Sequence, residues 1–521
     1  MAVDQFKNTT RPNKPIQPNP RSIELFAGCG GMSLGFHAEN YDLVLANELS
    51  PMASETFAFN LLGENLRTAT SKPKKVLWLS SQYATTEMPK RLNERPLVAT
   101  PGENTDLNAD TDLTGKLIVG NILELNQFLK DHPQAIPKNI DVVSGGPPCQ
   151  SFSMNGLRKK DDPKNQLPFA FAEFVSLVKP KIVVLENVTG ILRPFTDSDG
   201  QKYHAWIEIS RYFATKGYVP ICVHTNSKFV GVPQSRPRFI LLGIENEIAR
   251  QIQKKLFEQG TSNTDLEIIN QALHFFDNHT STKPILYDIH TPANQHLFDQ
   301  GFLSHFKTNQ NRSVRDAIHD LIDQNSSLAY THYLSAVFKK NSSSNQIENQ
   351  ELSKCADTIS MRCKLYQSMK RYAPKDQAVV KAFLNGNVDV LPDHILESML
   401  KEKVFNPTSI KDLVDLLKTL KTKKRSQIAL DPNLPSPTIQ SNPDDLIHYQ
   451  MARPINVREM ARIQSFPDWY VFKSKRTTGG DRRKFEVPQQ TQVGNAVPPL
   501  LARQIAKIVK DLLALNMAHT N

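Results

Sequence analysis

The stretch SIELFAGCGGMSLGF (residues 22–36) decides the fold of this chain. Its first five residues have the composition of a β-strand, a glycine-rich turn follows at 27–31, and residues 32–40 have the pattern of a helix. This order places backbone N–H groups at a helix N-terminus. Glu48 follows at the end of the next predicted strand, where nucleotide-binding folds carry a ribose-binding carboxylate. The pattern predicts an adenosine-containing cofactor, NAD or S-adenosylmethionine, with a purely structural turn as the alternative.

Short apolar strands and helical stretches alternate through the first half of the chain. Further strands are predicted at 42–48, 116–122, 141–148, 181–187, 218–223 and 238–243, with a helix at 169–178. Because each strand is almost uniformly apolar, we expect an α/β fold whose parallel sheet is covered on both faces. Glu48, Asn121, Cys149 and Glu186 lie at or just beyond strand ends. Open sheets bind ligands at that edge, so we expect one site there.

Composition narrows the class of protein. The chain has 521 residues, 39% apolar and 22% charged, which excludes a disordered chain and allows two to four domains. With no long apolar run and no signal peptide, we expect a soluble, cytoplasmic protein, and a monomer. The net charge of +11 favours a polyanionic partner. Five cysteines without a CxxC pair indicate reduced thiols, and no metal site is predicted.

The chain divides into five predicted segments. They are a leader at 1–20, a site-bearing domain at 21–249 with a surface insertion at 64–112, a smaller mixed domain at 250–450, a connecting segment at 451–490, and a tail at 491–521. The tail contains an amphipathic helix at 498–515, which needs an apolar surface to cover. We expect that helix to return to the sheet of the first domain.

Cys149 is the candidate nucleophile. It follows a rigid Pro-Pro pair at a strand end, whereas Cys29 and Cys222 have the surroundings of small buried apolar residues. Glu186 would face the same cleft, and Arg236 and Arg238 precede a further strand. A structural salt bridge between these Arg and Glu residues is the alternative to a catalytic role.

Taken together, the motifs resemble those of the DNA (cytosine-5) methyltransferases, bacterial restriction-modification or orphan type. The matching segments occur in the family's order: IELFAGCGGMSLGF (23–36), NELS (47–50), GGPPCQSFSMNG (145–156), ENVTG (186–190), GVPQSRPRFILLG (231–243), SPTI (436–439), RPINVREMARIQSFPDWY (453–470) and QVGNAVPPLLARQIA (492–506). The chain departs from the family at Asn121, where an Asp is usual, and at Lys164, where an Arg is frequent.

The resemblance implies a Rossmann-like, S-adenosylmethionine-dependent methyltransferase sheet with a smaller mixed target-recognition domain at 250–450. The Cys149 thiolate would add to carbon 6 of a flipped cytosine and activate carbon 5. Glu186 would donate a proton to ring nitrogen 3 if its buried carboxyl group stays protonated. Arg238 would hold the carbonyl oxygen, and Arg236 would position Glu186 or a phosphate.

The resemblance also assigns the binding residues. The cofactor would be S-adenosylmethionine, bound by Phe26, Gly28, Gly30, Gly31, Glu48, Asn121, Ile122, Asn495 and Val497. Double-stranded DNA would be contacted by Gln150, Ser151, Ser153, Gln234 and Thr438.

Two other functions stay open at this stage. One is a DNA-binding regulator that has lost turnover, against which Cys149, Glu186 and Arg238 all argue. The other is an RNA-methylating relative, which has a shorter recognition region than the roughly 200 residues here. A site-specific DNA methyltransferase, paired with a restriction endonuclease, is the favoured interpretation.

Overall fold

The computed structural model describes residues 18–69, 71–95, 102–148, 166–196, 202–260, 264–308, 310–339, 346–352, 355–441 and 444–517. The predicted nucleophile Cys149 and the predicted DNA contacts Gln150, Ser151 and Ser153 lie outside the described residues. None of the described helices is both long and apolar enough to cross a membrane.

The described residues form thirteen strands. They are β1 (Arg21–Leu25), β2 (Asp42–Glu48), β3 (Val76–Trp78), β4 (Lys116–Val119), β5 (Val142–Gly145), β6 (Ile182–Val188), β7 (Phe195–Thr196), β8 (Lys202–Tyr203), β9 (Tyr218–Asn226), β10 (Pro237–Glu245), β11 (Leu286–Asp288), β12 (Ile428–Ala429) and β13 (Leu446–Ile447). Nine of them form one sheet in the order β11-β9-β10-β6-β5-β1-β2-β4-β3, and two small sheets pair β12 with β13 and β7 with β8.

The sheet is mixed, which corrects the prediction that it is parallel throughout. Strand β10 runs antiparallel to both of its neighbours, β6 and β9. Ten residues, 227–236, join β9 to β10, and they are too few for the helical crossover that a parallel connection requires. The reversal has a functional consequence. It brings the beginning of β10, with Arg238, to the edge where the parallel strands end.

The described residues also form seventeen α-helices. They are α1 (Gly31–His37), α2 (Pro51–Phe57), α3 (Met88–Asn93), α4 (Ile122–Asp131), α5 (Leu167–Val178), α6 (Ala205–Thr215), α7 (Asn246–Glu258), α8 (Thr264–Asp277), α9 (Val314–Ile318), α10 (Ala329–Val337), α11 (Asp357–Ser368), α12 (Pro374–Leu384), α13 (Asp393–Lys401), α14 (Ile410–Thr419), α15 (Val457–Ile463), α16 (Gln489–Asn495) and α17 (Pro499–Met517). A π-helical turn, Ala58–Leu62, continues α2, and several short 3₁₀ turns connect the other elements.

Helices cover both faces of the sheet, as the α/β prediction requires. Alternate residues of β6 enter different cores, Ile182 and Val184 on one face and Val183 and Leu185 on the other. The first core is closed by α1, α7, α8 and α17, and the second by α4, α5 and α6. This alternation follows from the two-residue period of a strand whose two faces are both buried.

The last helix, α17, packs closely against α1. A Cβ atom at Gly35 would lie 2.4 Å from the Cβ of Ala502, so the absence of a side chain allows the two helices to approach. The Tyr41 hydroxyl donates a hydrogen bond to the Ala506 carbonyl oxygen at 2.9 Å. The end of the chain is thereby attached next to the glycine turn that begins α1.

The range 250–450 contributes to two different cores. Residues from α8, α9 and α10 share the first core with the large sheet, and β11 extends that sheet beyond β9. Helices α11 to α14, with β12 and β13, enclose a core of their own, which we call the helical cluster (357–447). Within the range 64–112, β3 forms the opposite edge of the sheet and buries Trp78.

Candidate active site

The candidate site lies at the carboxyl edge of the sheet. Strands β1, β2, β4, β5 and β6 are mutually parallel, so their ends meet along one line. The glycine turn follows β1, Glu48 ends β2, Asn121 comes two residues after β4, and Glu186 lies near the end of β6. The structure therefore brings most described site residues predicted from sequence to one edge, as the strand-end pattern indicated.

The turn after β1 has a backbone that ordinary side chains rarely allow. Phe26, Gly28 and Gly30 have φ angles of 54°, 55° and 90°, all in the left-handed region. Glu48 holds this turn, because one carboxylate oxygen accepts the Gly28 N–H at 2.8 Å and the other accepts the Ser50 N–H at 2.7 Å. Burial raises the pKa of Glu48 above its usual value. Among the described residues, apart from the immediate chain neighbours, no atom lies within 4 Å of where a Gly28 Cβ would stand, so the described part of the chain leaves open space beside the turn.

The tail of the chain closes over the same turn. A Cβ at Gly31 would lie 2.2 Å from the Val497 carbonyl oxygen, so this contact requires glycine. The Tyr470 hydroxyl donates to the Cys29 carbonyl oxygen from the other side. Val497 is half-buried, whereas the side chain of Asn495 is exposed. Gly31 and Val497, predicted separately as cofactor residues, are therefore neighbours.

A buried carboxyl group, that of Glu24, connects β1 to the start of α1, on the two sides of the glycine turn. Glu24, on β1, is 4% exposed, and its carboxylate accepts hydrogen bonds from the backbone N–H of Ser33, at 2.8 Å, and from its hydroxyl. Burial, opposed by these hydrogen bonds, raises the pKa of Glu24 to about 8. Sequence analysis assigned no role to this residue, because a Glu in an apolar strand has no distinguishing pattern.

Asn121 caps helix α4. Its side-chain oxygen accepts the Leu123 N–H at 3.1 Å, which is the usual role of Asn or Asp at this position. The preceding Gly120 donates its N–H to the Glu48 carbonyl oxygen at 3.0 Å, so β2 and the start of α4 are joined. Asn121 is half-buried and Ile122 is buried. The cap uses one lone pair of the amide oxygen and leaves the other available to a ligand.

Glu186 and Arg238 form a buried ion pair. The Nε atom of Arg238 lies 2.7 Å from a carboxylate oxygen of Glu186, and the two residues are 6% and 8% exposed. A Cβ at Gly146 would lie 3.0 Å from the other carboxylate oxygen. Asn187 donates its amide N–H to the Pro147 carbonyl oxygen at 3.0 Å, which fixes the segment that leads to Cys149. The pair that the sequence analysis could read as purely structural thus lies directly beside that segment.

Arg236 is held by main-chain carbonyl oxygens. Its guanidinium group donates to the carbonyl oxygens of Ile439, Gly494 and Ala496 at 3.0, 2.9 and 3.1 Å, and the residue is 2% exposed. These bonds use its two terminal nitrogens and show a structural role, while its role in positioning Glu186 or a phosphate stays a prediction. Because burial and the nearby Arg238 charge disfavour its charged form, the pKa of Arg236 is well below its usual value.

Gln234 also bonds to the protein's own groups. It is fully buried, donates to the side-chain oxygen of Gln464 at 2.8 Å and accepts the Ile439 N–H at 2.9 Å. These bonds form a structural link, and the contact of Gln234 with DNA stays a prediction. Thr438 is half-buried, and its hydroxyl donates to the Ser235 carbonyl oxygen at 2.9 Å. These contacts attach the SPTI segment (436–439) to the loop that carries both arginines.

The family follows from a comparison with known proteins. The model of the C-5 cytosine-specific DNA methylases matches residues 21–76 and 115–511. The chain belongs to this family. It is a DNA cytosine-5 methyltransferase, and the interval 77–114 between the matched ranges overlaps most of the predicted insertion.

Several relatives of the methylase match along most of their length. The type II methyltransferase M.DdeI of Desulfomicrobium norvegicum is 27% identical over 93% of this chain and 87% of its own. The type II methyltransferase M1.HphI of Haemophilus parahaemolyticus is 24% identical over 94% and 86%. Among solved structures, the S. pombe Dnmt2 methyltransferase has 12% identity and a TM-score of 0.41, over 95% of this chain and 98% of that chain.

Two glutamines of the methylase were missed by sequence analysis. Gln492 accepts the Thr56 hydroxyl at 2.6 Å and donates to the Met52 and Val487 carbonyl oxygens, which joins α16 to α2. Gln464 donates to the Val493 carbonyl oxygen at 2.7 Å as well as accepting from Gln234. Both lie inside the quoted motifs, and their partners Thr56, Met52 and Gln234 are more than 200 residues away in sequence, so no local spacing could reveal these contacts.

Two of the described cysteines, Cys29 and Cys222, lie in surroundings that suppress their reactivity. Cys29 and Cys222 are buried and free, and burial raises the pKa of the Cys222 thiol to about 12. Burial also raises the pKa of Cys29. A thiol whose ionisation is suppressed is a poor nucleophile, so neither of these two is a candidate for a covalent step.

The basic residues of the helical cluster differ in their surroundings. Lys418, Lys421 and Lys424 form ion pairs with Asp415, Asp389 and Asp444. Lys423 and Arg425 are exposed and form no ion pair with a described carboxylate. An unpaired cation attracts phosphate more strongly than one already neutralised, so these two have the stronger claim to contact DNA.

Proposed function

We propose that the methylase uses S-adenosylmethionine and methylates cytosine at a specific DNA sequence, through a covalent adduct with Cys149. The observation that carries this proposal is the placement of the Glu186–Arg238 ion pair beside the Gly146–Pro147 segment that leads to Cys149. Both lie at the same sheet edge as the glycine turn and Glu48.

The edge suits a cofactor with an adenosine part. The open space beside Gly28 admits a ligand against the backbone, and Glu48 presents a carboxylate for ribose hydroxyls. Phe26 would contact the adenine or the sulfonium, and the Gly28–Gly31 turn the methionine part. Asn121 and Ile122 would lie at the adenine, with Asn495 and Val497 closing the pocket. Bound there, S-adenosylmethionine supplies an electrophilic methyl group.

Asn121 gives this assignment a specific test. Its second lone pair can accept from the adenine amino group, and an Asp there would accept more strongly and still cap α4. Asn121→Asp is therefore expected to leave the dissociation constant of S-adenosylmethionine unchanged or lower it. A marked weakening, measured by calorimetry, would remove Asn121 from the adenine site.

The residues near Glu186 fit the chemistry at cytosine. Carbon 5 is a poor nucleophile until the Cys149 thiolate adds to carbon 6, which makes the ring enamine-like. Glu186 would face ring nitrogen 3, and Arg238, which the ion pair orients, would hold the carbonyl oxygen. The cytosine must leave the base stack to reach them. The Cys149 loop, including Gln150, Ser151 and Ser153, would then contact DNA around it.

Recognition of the DNA sequence is assigned to residues 250–450. The sheet edge handles a flipped base and must accept any target cytosine, so discrimination has to come from groups that reach neighbouring base edges. The helical cluster (357–447) has a core of its own and is joined to the arginine loop through SPTI, with Thr438 at that junction. It is therefore the part of the range best placed to read the groove.

The biological role proposed here is protection of DNA from a restriction endonuclease. It is supported by the type II methyltransferases among the relatives. Such an enzyme would act in the cytoplasm, as a monomer, on double-stranded DNA.

The test replaces Cys149. Cys149→Ser is expected to abolish methyl transfer to DNA while leaving S-adenosylmethionine binding nearly unchanged, since the thiolate is needed for the covalent step alone. Cys222→Ser is the matched control, because that thiol is buried away from the edge. Methylation by Cys149→Ser at near the wild-type rate would refute the mechanism.

A graft tests the recognition assignment. Residues 250–450 are replaced by the corresponding segment of a relative of known specificity, and methylated sites are mapped by bisulfite sequencing. The chimera is expected to methylate the relative's site. An active chimera that keeps the original site would place recognition outside this range.

A further inference from the structure

A cluster of two histidines and an aspartate lies at the outer edge of the large sheet. The register of β9 and β11 pairs His224 with Asp288, and His290 lies two residues beyond the end of β11. The Nδ1 atom of His224 lies 3.0 Å from a carboxylate oxygen of Asp288. One nitrogen or oxygen atom from each of the three side chains lies within 4.8 Å of the other two.

We propose that His224, Asp288 and His290 bind one divalent transition-metal ion, with Zn²⁺ as the preferred metal. Two imidazoles and one carboxylate are a donor set that zinc accepts, with a fourth position left to water. Two ligands at ordinary bond lengths from a tetrahedral zinc are about 3.3 Å apart. The His224–Asp288 spacing has to open by a few tenths of an ångström to reach this value.

Two of the three ligands are already close to a ligating arrangement, whereas His290, within 4.8 Å of the others, has to move closer on binding. The Nε2 atom of His224 is buried and has no hydrogen-bond partner among the described residues, so the ring proton can occupy it and leave Nδ1 free for a metal. The other carboxylate oxygen of Asp288 accepts the backbone N–H of His290 at 2.9 Å, which fixes its orientation. Such outer hydrogen bonds are typical of metal ligands.

Aromatic and basic side chains lie beside His290. The Phe229 ring lies 5.5 Å from the His290 ring, and the nearby Lys228 ammonium group lies 5.0 Å from the Phe229 ring. His290 is exposed, so an ion can enter from solvent without displacing the core.

A metal here would be structural. His224 lies opposite Phe239 on β10, which in turn lies opposite Asn187 on β6. Two strand spacings, about 10 Å at the backbone, therefore separate the cluster from the strand that carries Glu186. The ion would instead link β11, a strand of three residues, to β9, and so stabilise the attachment of the segment that follows β11.

The first experiment measures zinc binding to the full-length chain after removal of metal with EDTA. Zn²⁺ is titrated in competition with a fluorescent chelator, and His290→Ala and Asp288→Asn are each expected to weaken one site by at least about 100-fold. His305→Ala is the matched control, because His305 pairs with Asp511 at 2.8 Å outside any such three-residue cluster among the described residues. His290 is exposed, so its replacement leaves folding intact.

Two further measurements separate this site from binding by thiols. The Co²⁺ form is expected to lack the charge-transfer absorption of a thiolate ligand, since the proposed donors are nitrogen and oxygen. Zn²⁺ is expected to slow amide hydrogen exchange at 286–290 in the wild-type chain and not in His290→Ala. Absence of zinc binding, or binding that neither His290→Ala nor Asp288→Asn weakens, would overturn the proposal.

Discussion

Replacement of Arg236 by Met is expected to destabilise the enzyme at a place that sequence analysis assigned to catalysis. The buried guanidinium group donates three hydrogen bonds to main-chain carbonyl oxygens, at 2.9 to 3.1 Å. Bonds of this charged type contribute roughly 1.5–3 kcal/mol each, about 5–9 kcal/mol together. Replacing the charged group by an apolar one recovers part of this stabilisation, because burying a charge costs several kcal/mol. We therefore expect Arg236→Met to lower the free energy of unfolding by about 3–5 kcal/mol.

Arg236→Lys is the matched control. A single ammonium group keeps the charge and can donate to some of the three carbonyl oxygens, although not in the geometry of a planar guanidinium. The loss of stability is therefore expected to be smaller for Arg236→Lys than for Arg236→Met. Urea unfolding followed by tryptophan fluorescence measures the stability of both variants. Limited proteolysis tests whether the segments around Ile439 and Gly494 become accessible. A loss below about 1 kcal/mol for Arg236→Met, with unchanged proteolysis, would refute the structural role.

Three further outcomes are expected. Burial raises the pKa of Glu24 from 4.5 to about 8 in the folded chain, so its contribution to stability is complete below pH 4.5 and is lost as the pH rises toward and through 8. Glu24→Gln removes this pH-dependent loss. The urea midpoint of the variant, compared with that of the wild type, should therefore rise as the pH is raised from about 5 to about 9. Glu48→Ala should weaken S-adenosylmethionine binding by about 1.5–3 kcal/mol in calorimetry, and no change would dismiss the ribose assignment. Alanine at both Lys423 and Arg425 should weaken binding to all DNA sequences and lower the slope of log K against log salt by about 1.8, whereas an unchanged slope would place the phosphates elsewhere.

The strand–helix alternation was predictable because it depends on local patterns. Apolar runs of strand length, separated by helical periodicity, located β1, β2, β4, β5, β6, β9 and β10. The direction of β10 was not predictable in the same way, since both orientations bury the same residues. The deciding feature was the ten-residue connection at 227–236, which is too short to cross the sheet.

The candidate site was predictable where its residues belong to strand ends and turns. Gly28, Glu48 and Glu186 follow from the rule that ligands bind at the carboxyl edge. Arg236 and Gln234 could not be assigned in this way, although they lie in an equally recognisable motif. Their partners are more than 200 residues away in sequence, and only folding decides whether a polar side chain meets a ligand or the protein's own backbone.

The Arg236 contacts join segments that are distant in sequence. One guanidinium group holds Ile439, at the end of SPTI, and also Ala496, which precedes Val497 at the glycine turn. Arg238, two residues away, is paired with Glu186. One short loop therefore fixes SPTI and the tail with its first arginine, and Glu186 with its second. Since a reaction between bound groups requires them in register, a rigid connection at this point is expected to preserve the geometry of the candidate site.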